Sequence, residues 1–136
     1  MSTSGFDRAR LHRDRRPATG RFSKQDRILT VGEYRRVYRR GYHASTERFG
    51  CYVLPNRRGR SRLGLSVSRK YGKSPQRNAV KRRIREAFRQ LRDEFPRSVD
   101  VILVPRRAAR DADLGRIAQD LVRLVHRALE RRERRS

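Results

Sequence analysis

Cations between residues 69 and 89 recur at a spacing that suits a polyanion. Arg69, Lys70 and Lys73 lead into a segment carrying Arg77, Asn78, Lys81, Arg82, Arg85 and Arg89. On a helical wheel at ~100° per residue, Arg77, Lys81, Arg92, Arg85, Asn78, Arg89 and Arg82 fill an arc from 0° to about 140°. Asp93, Glu86 and Glu94 fall at roughly 160°, 180° and 260°. A merely solvated helix would interleave the two signs in i,i+4 pairs, and pairs such as Arg82 with Glu86 are few here. A segregated arc interrupted by one amide, Asn78, suits a phosphate backbone, which needs several cations at fixed spacing and which arginine can grip at two points. Ser74 and the open amides at the helix start add an anion site at the same end.

A second group of residues is aromatic or small. Tyr34, Val37 and Tyr38 share one face of an earlier helix, and Tyr52 lies in a β-prone run. Gly64, Ser66 and Ser68 form a smooth strand face on which an extended single strand could lie. The competing reading is that the tyrosines are simply core. Hydrolytic chemistry has no comparable group. Asp111 and Asp113 stand where helix caps belong, and His12, His43 and His126 are scattered, so neither a metal-binding carboxylate cluster nor a histidine acid–base pair is assembled. The single cysteine, Cys51, reads as a small buried thiol within residues 49–54.

The elements that must position these residues follow from caps and periodicity. Thr30 and Glu33 make a capping box, Leu29 and Tyr34 a hydrophobic staple, and Gly41 a left-handed stop, predicting a helix over Val31–Arg40. Residues 49–54 and the alternating Leu63, Leu65 and Val67 read as strands joined by a hairpin loop over residues 55–61, with a further short strand over residues 42–46. Ser74 as N-cap and Pro75 as first helical residue open the basic helix, which runs to about Glu94 before Pro96. Its other side, Val80, Ile84, Ala87, Phe88, Leu91 and Phe95, forms an apolar stripe. A strand over residues 99–104 follows. Leu114, Ile117, Leu121, Leu124, Val125 and Ala128 then repeat with helical spacing after a cap at Asp111 or Asp113. The order is α, two or three strands, α, β, α.

Charge narrows the partner. Of 136 residues, 38 are Lys or Arg against 14 Asp or Glu, a formal +24 that self-repels until a polyanion neutralises it. Nucleic acid is the first candidate. No apolar run approaches the ~20 residues of a spanning helix, and residues 1–20 lack the apolar core of a secretory signal, so a cytoplasmic protein without a membrane partner is expected. Residues 1–24 read as a disordered basic tail, 25–130 as a single RNA-binding domain and 131–136 as a basic C-terminal tail or frayed helix.

The run Arg77-Asn78-Ala79-Val80-Lys81-Arg82-Arg83-Ile84-Arg85 resembles the arginine-asparagine-arginine signature of the bacterial ribonuclease P protein family. The preceding Arg62-Leu63-Gly64-Leu65-Ser66-Val67-Ser68-Arg69-Lys70 is similar to the segment that leads into it, and the resemblance covers about residues 27–130. It implies an α/β (α+β) sandwich, a small mixed sheet packed with three helices and a left-handed strand-helix-strand crossover. It also implies a subunit that binds a catalytic RNA and the 5′ leader of precursor tRNA, assisting endonucleolytic removal of the leader. Arg77, Asn78, Lys81, Arg82 and Arg85 would face the RNA subunit, and Tyr34, Tyr38 and Tyr52 would border the leader cleft. Mg2+ would be held mainly by RNA, and no obligate protein partner is expected. The sequence departs from the family in having tyrosine where phenylalanine is common on the first helix, and in its long basic N-terminal extension. The alternatives are a structural RNA-binding protein such as a ribosomal protein and a sequence-specific DNA regulator, the latter disfavoured by the lack of a turn-linked helix pair.

Overall fold

The computed structural model describes residues 22–135. A 3-10 turn, Lys24–Asp26, precedes α1 (Val31–Arg40), β1 (Tyr42–Ser45), β2 (Phe49–Pro55), β3 (Arg62–Leu65), α2 (Ser74–Leu91), β4 (Val99–Pro105) and α3 (Leu114–Arg135). The four strands form one mixed sheet in the order β1-β2-β4-β3, with β3 parallel to β4 and the other pairs antiparallel. The mixed α+β architecture with three helices is therefore as expected, the short strand at β1 included.

The loop over residues 55–61 does not make a hairpin. β4 inserts between β2 and β3, so the loop carries the chain across a strand yet to come. The reason lies in β4 itself, whose Val99, Val101, Ile102 and Leu103 are all buried. So apolar a run belongs in the middle of a sheet covered on both faces, leaving the four-residue β3 for the edge. Asn56 fastens the loop to β4, its amide donating to Asp100 Oδ1 at 2.8 Å and to the Arg60 carbonyl at 3.2 Å. β3 is also shorter than its alternation suggests. Past Leu65 a single bond, from the Ser66 N–H to the Leu103 carbonyl, continues the pairing, and Ser68 is already exposed.

On one face of the sheet α2 and α3 pack against Phe49, Cys51, Val53, Leu63, Val101 and Leu103. The stripe read from α2 is the buried one: Val80, Ile84, Ala87, Phe88, Leu91 and Phe95 all lie in this core, which leaves the basic arc no place but the outside. Cys51 is buried there, and burial pushes its thiol far above the ordinary range. On the opposite face α1 buries Val37 against Ile28 and Ile102, flanked by Tyr34, Tyr52, Leu54 and Val104.

The ends of the elements correct several expectations. Gly41 closes α1 in an extended conformation (φ −76°, ψ 168°), not a left-handed one. Glycine is needed there for space, since a Cβ would lie 2.5 Å from the Val37 carbonyl oxygen and 3.1 Å from that of Val53. Lys73, not Ser74, is the N-cap of α2, with Pro75 in the second helical position. The Gln76 side chain accepts from the Lys73 N–H at 2.6 Å, and the Ser74 hydroxyl is turned to Arg77 instead. α2 ends at Leu91, and Arg92–Glu94 form a 3-10 turn. Asp113 caps α3 through the Arg116 N–H at 2.9 Å. Residues 131–135, expected as a C-terminal tail or frayed helix, continue α3 to Arg135. Folded structure begins before residue 25, because Phe22 meets the Phe88 ring edge-on at 6.0 Å and the buried Asp26 accepts from the Ser23 N–H at 2.7 Å. The rest of the expected N-terminal tail lies outside the described residues.

The capping box of α1 is present, with Glu33 accepting from the Leu29 and Thr30 amides at 2.8 and 3.2 Å and the Thr30 hydroxyl accepting from the Glu33 N–H at 3.0 Å. The Leu29 bond above all, then the Thr30 and Arg62 bonds, outweigh burial and hold the Glu33 carboxyl down to about 2 from an ordinary 4.5. Because the folded pKa lies below the unfolded one, Glu33 contributes stability that is present above about pH 4.5 and is lost as the pH falls toward 2. Glu33→Gln should therefore be less stable than wild type at neutral pH, and the two urea midpoints should converge between pH 4.5 and 2. A gap that stays constant across that window would place the contribution of Glu33 elsewhere than in its charge.

Candidate nucleic-acid interface

The arc is presented as the helix requires. Arg69, Lys70, Lys73, Asn78 and Arg82 are exposed, and Arg77, Lys81, Arg85 and Arg89 are partly buried along the flank of α2. Among the described residues, Arg69, Lys70, Lys73, Lys81, Arg82 and Arg85 form no ion pair. Arg77 is held in place, donating to the Gly72 carbonyl at 2.8 Å and to the Ser74 hydroxyl at 3.0 Å, so its guanidinium is oriented before any ligand arrives. Burial, then the neighbouring Arg27 and Arg82 guanidinium groups, pull the pKa of Arg85 down. These like charges are crowded without a counter-ion, an arrangement that a bound phosphate relieves.

The far end of the arc is different from its sequence pattern. Arg89 donates from Nε to Glu86 Oε1 at 3.0 Å, and Gln90 adds a bond to the same carboxylate at 3.0 Å, so the charge at Arg89 is internally balanced. Arg92 forms an ion pair with the buried Asp26 at 2.6 Å and belongs to the fold rather than to the interface. The unpaired cations of the arc thus lie between Arg69 and Arg85, on the loop before α2 and along the helix to that point.

The tyrosines separate into two places. The strand registers align His43, Tyr52, Ile102 and Gly64 in one row across the outer face of the sheet. α1 lies over that row, with Tyr38 at Tyr52, Val37 at Ile102 and Tyr34 at Gly64. Residues one helical turn apart therefore land two strands apart. Tyr38, 39% exposed, meets the Tyr52 ring edge-to-face with centroids 4.9 Å apart, and Tyr52 also meets the His43 ring at 4.9 Å. Gly50 is buried beside them, where a Cβ would lie 3.6 Å from the Arg106 guanidinium and 3.8 Å from the His43 ring.

Tyr34 is engaged by the fold. Its hydroxyl accepts from the Leu65 N–H at 3.1 Å, and a Cβ on Gly64 would come within 2.9 Å of its ring. Gly64 is therefore covered by Tyr34 and is not the open surface expected of it. The edge of Tyr34 lines a groove of about 260 Å³ with Phe22, Arg27, Leu65, Lys81 and Arg85. A second groove, of about 610 Å³, runs from Phe22 and Arg85 to Arg82, Glu86 and Arg89. Ser66 and Ser68 lie past the end of β3, on the chain leading to Arg69, away from the Tyr38–Tyr52 pair.

Sequence reasoning missed Phe22, Arg27, His43 and Arg106 at these places. His43 becomes visible only once β1 is paired with β2, since the register sets it opposite Tyr52. Phe22 carried a weak signal, as an isolated aromatic in an otherwise polar stretch.

Comparison with known proteins bears on the family and the fold. Residues 22–129 match the family Ribonuclease P, starting at the residue where the described structure begins. A ribonuclease P protein component of Clostridium botulinum (strain 657 / Type Ba4) is 40% identical over 106 residues, which span 77% of this chain and 96% of that protein. Another, from Desulfovibrio desulfuricans, is 40% identical over 108 residues, covering 76% and 83%. Among solved structures, a mutant RNase P protein of Staphylococcus aureus superposes with a TM-score of 0.69 at 32% identity, over 78% of this chain and 90% of that one. The RNase P protein of Thermotoga maritima gives 0.67 at 28% identity, over 74% and 96%. With its fold and residues 22–129 matched, the chain belongs to the ribonuclease P protein family, the protein subunit of the ribonuclease P endoribonuclease.

Proposed function

We propose that Arg69, Lys70, Lys73, Arg77, Asn78, Lys81, Arg82 and Arg85 bind phosphates of the ribonuclease P RNA. The unpaired 5′ leader of precursor tRNA lies along the outer sheet face, against Tyr38 and Tyr52 and the exposed edge of Tyr34. Ser66 and Ser68 connect that path to the arc, and Arg89, balanced by Glu86, stands at its margin. The observation that carries this reading is the crowding of unpaired cations on one flank of α2, adjoining the groove at Tyr34. A cytoplasmic location accords with it, and no helix among the described residues is long and apolar enough to cross a membrane.

The buried aspartates among the described residues do not suit a magnesium site. Asp26 is held by Arg60 and Arg92, Asp100 by Arg62, and Asp120 by Arg48. Among the described residues no three His, Cys, Asp or Glu side chains come together for a metal ion. The protein's part is to bind and orient, with Mg2+ for hydrolysis held by the RNA. Highly purified, RNA-free protein should accordingly leave precursor tRNA uncut in magnesium, and addition of a ribonuclease P RNA should restore cleavage; cleavage by the protein alone would refute this division of labour.

Replacing Arg77, Lys81, Arg82 and Arg85 together by Ala should weaken association with the RNA subunit. The log–log salt slope should flatten by about 3, near one ion per phosphate contact. Circular dichroism should show the fold retained, and an unchanged slope would reduce the arc to solvation.

Tyr38→Ala and Tyr52→Ala should lower holoenzyme affinity for precursor by about 1–3 kcal/mol per stacked base while leaving mature tRNA unaffected. Binding measured over a series of leader lengths tests this. Folded variants that bind every length like wild type would remove these rings from the leader path.

A further inference from the structure

The last turns of α3 carry Arg127, Arg131 and Arg135, three exposed arginines four residues apart and so in one row, about 6 Å between neighbours along the axis. Glu130 and Glu133 are interspersed with them, yet neither forms an ion pair among the described residues. The arginines turn to β1 instead. Arg127 donates to the Ser45 carbonyl and Arg131 to the His43 carbonyl, each at 3.0 Å, and the Arg135 guanidinium lies 5.9 Å from the centre of the Tyr42 ring. Each guanidinium of Arg127 and Arg131 keeps further N–H groups for another acceptor. His43 joins this row to the aromatic pair, since its carbonyl receives Arg131 while its ring packs on Tyr52. Arg106, anchored to the Thr46 carbonyl at 2.7 Å and close to Gly50, stands on the same side.

We propose that the single-stranded path continues past Tyr38 and Tyr52, over the edge strand β1 and onto α3, where Arg127, Arg131 and Arg135 take phosphates of the distal leader nucleotides. The inference rests on the reading of the tyrosine pair as the leader site. It differs from that reading in residues, since these are cations on another element, and in the nucleotides concerned. Single-stranded RNA is favoured over a duplex because the row begins at an aromatic cluster, where bases must be unpaired to stack, and because its pitch is comparable with the separation of successive phosphates in an extended strand.

The test uses holoenzyme reconstituted with the RNA subunit, and precursors whose leaders are lengthened stepwise until wild-type affinity stops rising. R127Q/R131Q/R135Q should bind short leaders and mature tRNA as wild type does, reach its plateau at a shorter leader, and lose about 2 from the log–log salt slope for long leaders only. Y38A/Y52A should instead lose the short-leader increment, so the two readings fail separately. Should the triple variant not fold, R135E carries the test, because Arg135 has no hydrogen bond to β1; its slope for long leaders should fall by at least about 0.7. Equal loss at every leader length, or weakened assembly with the RNA subunit, would assign the row to that RNA and overturn the proposal. Wild-type behaviour throughout would overturn it as well.

Discussion

The Arg62–Asp100 ion pair joins more of this structure than any other contact. Arg62 Nε and Nη2 donate to the two Asp100 oxygens at 2.9 and 2.8 Å, which locks β3 to β4 in register. The remaining arm of the same guanidinium reaches Glu33 at 3.2 Å and so fixes the N-terminus of α1, while Asp100 accepts from Asn56 and fixes the loop that crosses β4. Both partners are almost fully buried, at 6% exposure each. Replacing one partner alone would strand a charge out of water, at a cost of about 3–5 kcal/mol. Through this one planar fork the edge strand, the first helix and the crossing loop share a reference point. The position of Tyr34 over Gly64, and hence the groove beside the arc, follows from it.

The surplus of arginine resolves into two populations. One is consumed inside the protein, where Arg48, Arg60, Arg62, Arg89 and Arg92 meet Asp120, Asp26, Asp100, Glu86 and Asp26 respectively. Asp26 shows how strong these demands are. Burial alone would raise its pKa, and the Ser23 amide with Arg60 and Arg92 reverses the shift. The other population, Lys81, Arg82 and Arg85 on α2 and Arg127, Arg131 and Arg135 on α3, lacks carboxylate partners among the described residues. Because Asp26, Asp100 and Asp120 are buried against arginines of the fold, these unpaired cations are left to an external polyanion.

Much of this was legible beforehand, and the limits are physical. Periodicity located α1, α2 and α3 because an amphipathic helix records its buried side in its own residues, as Val80, Ile84 and Phe88 do. Chain order of the strands was misread because adjacency in a sheet is decided by which run is most apolar, and that comparison between residues 62–65 and 99–105 is not local. Gly41 was recognised as an end but given the wrong backbone, since steric need at the Val53 carbonyl and left-handed φ leave the same letter in the sequence. At the interface, the cations of α2 could be read from one helix. Their status as paired or free could not, because Arg92 finds its acid at Asp26 across the fold, and Arg89 leans back over the boundary of its own arc. The resemblance groups the tyrosines as a trio, whereas a helix lying across strands distributes neighbouring turns to different strands.

The resting place of α3 on β1 has a consequence for how copies of this chain meet one another. β1 is an edge strand, and an edge strand with free carbonyls is a template on which another strand can extend the sheet. Here the His43 and Ser45 carbonyls are already occupied by Arg131 and Arg127. A strand approaching that edge finds its acceptors taken and two positive charges in their place, so the helix end acts as a guard against sheet-to-sheet association while the chain is still without its RNA.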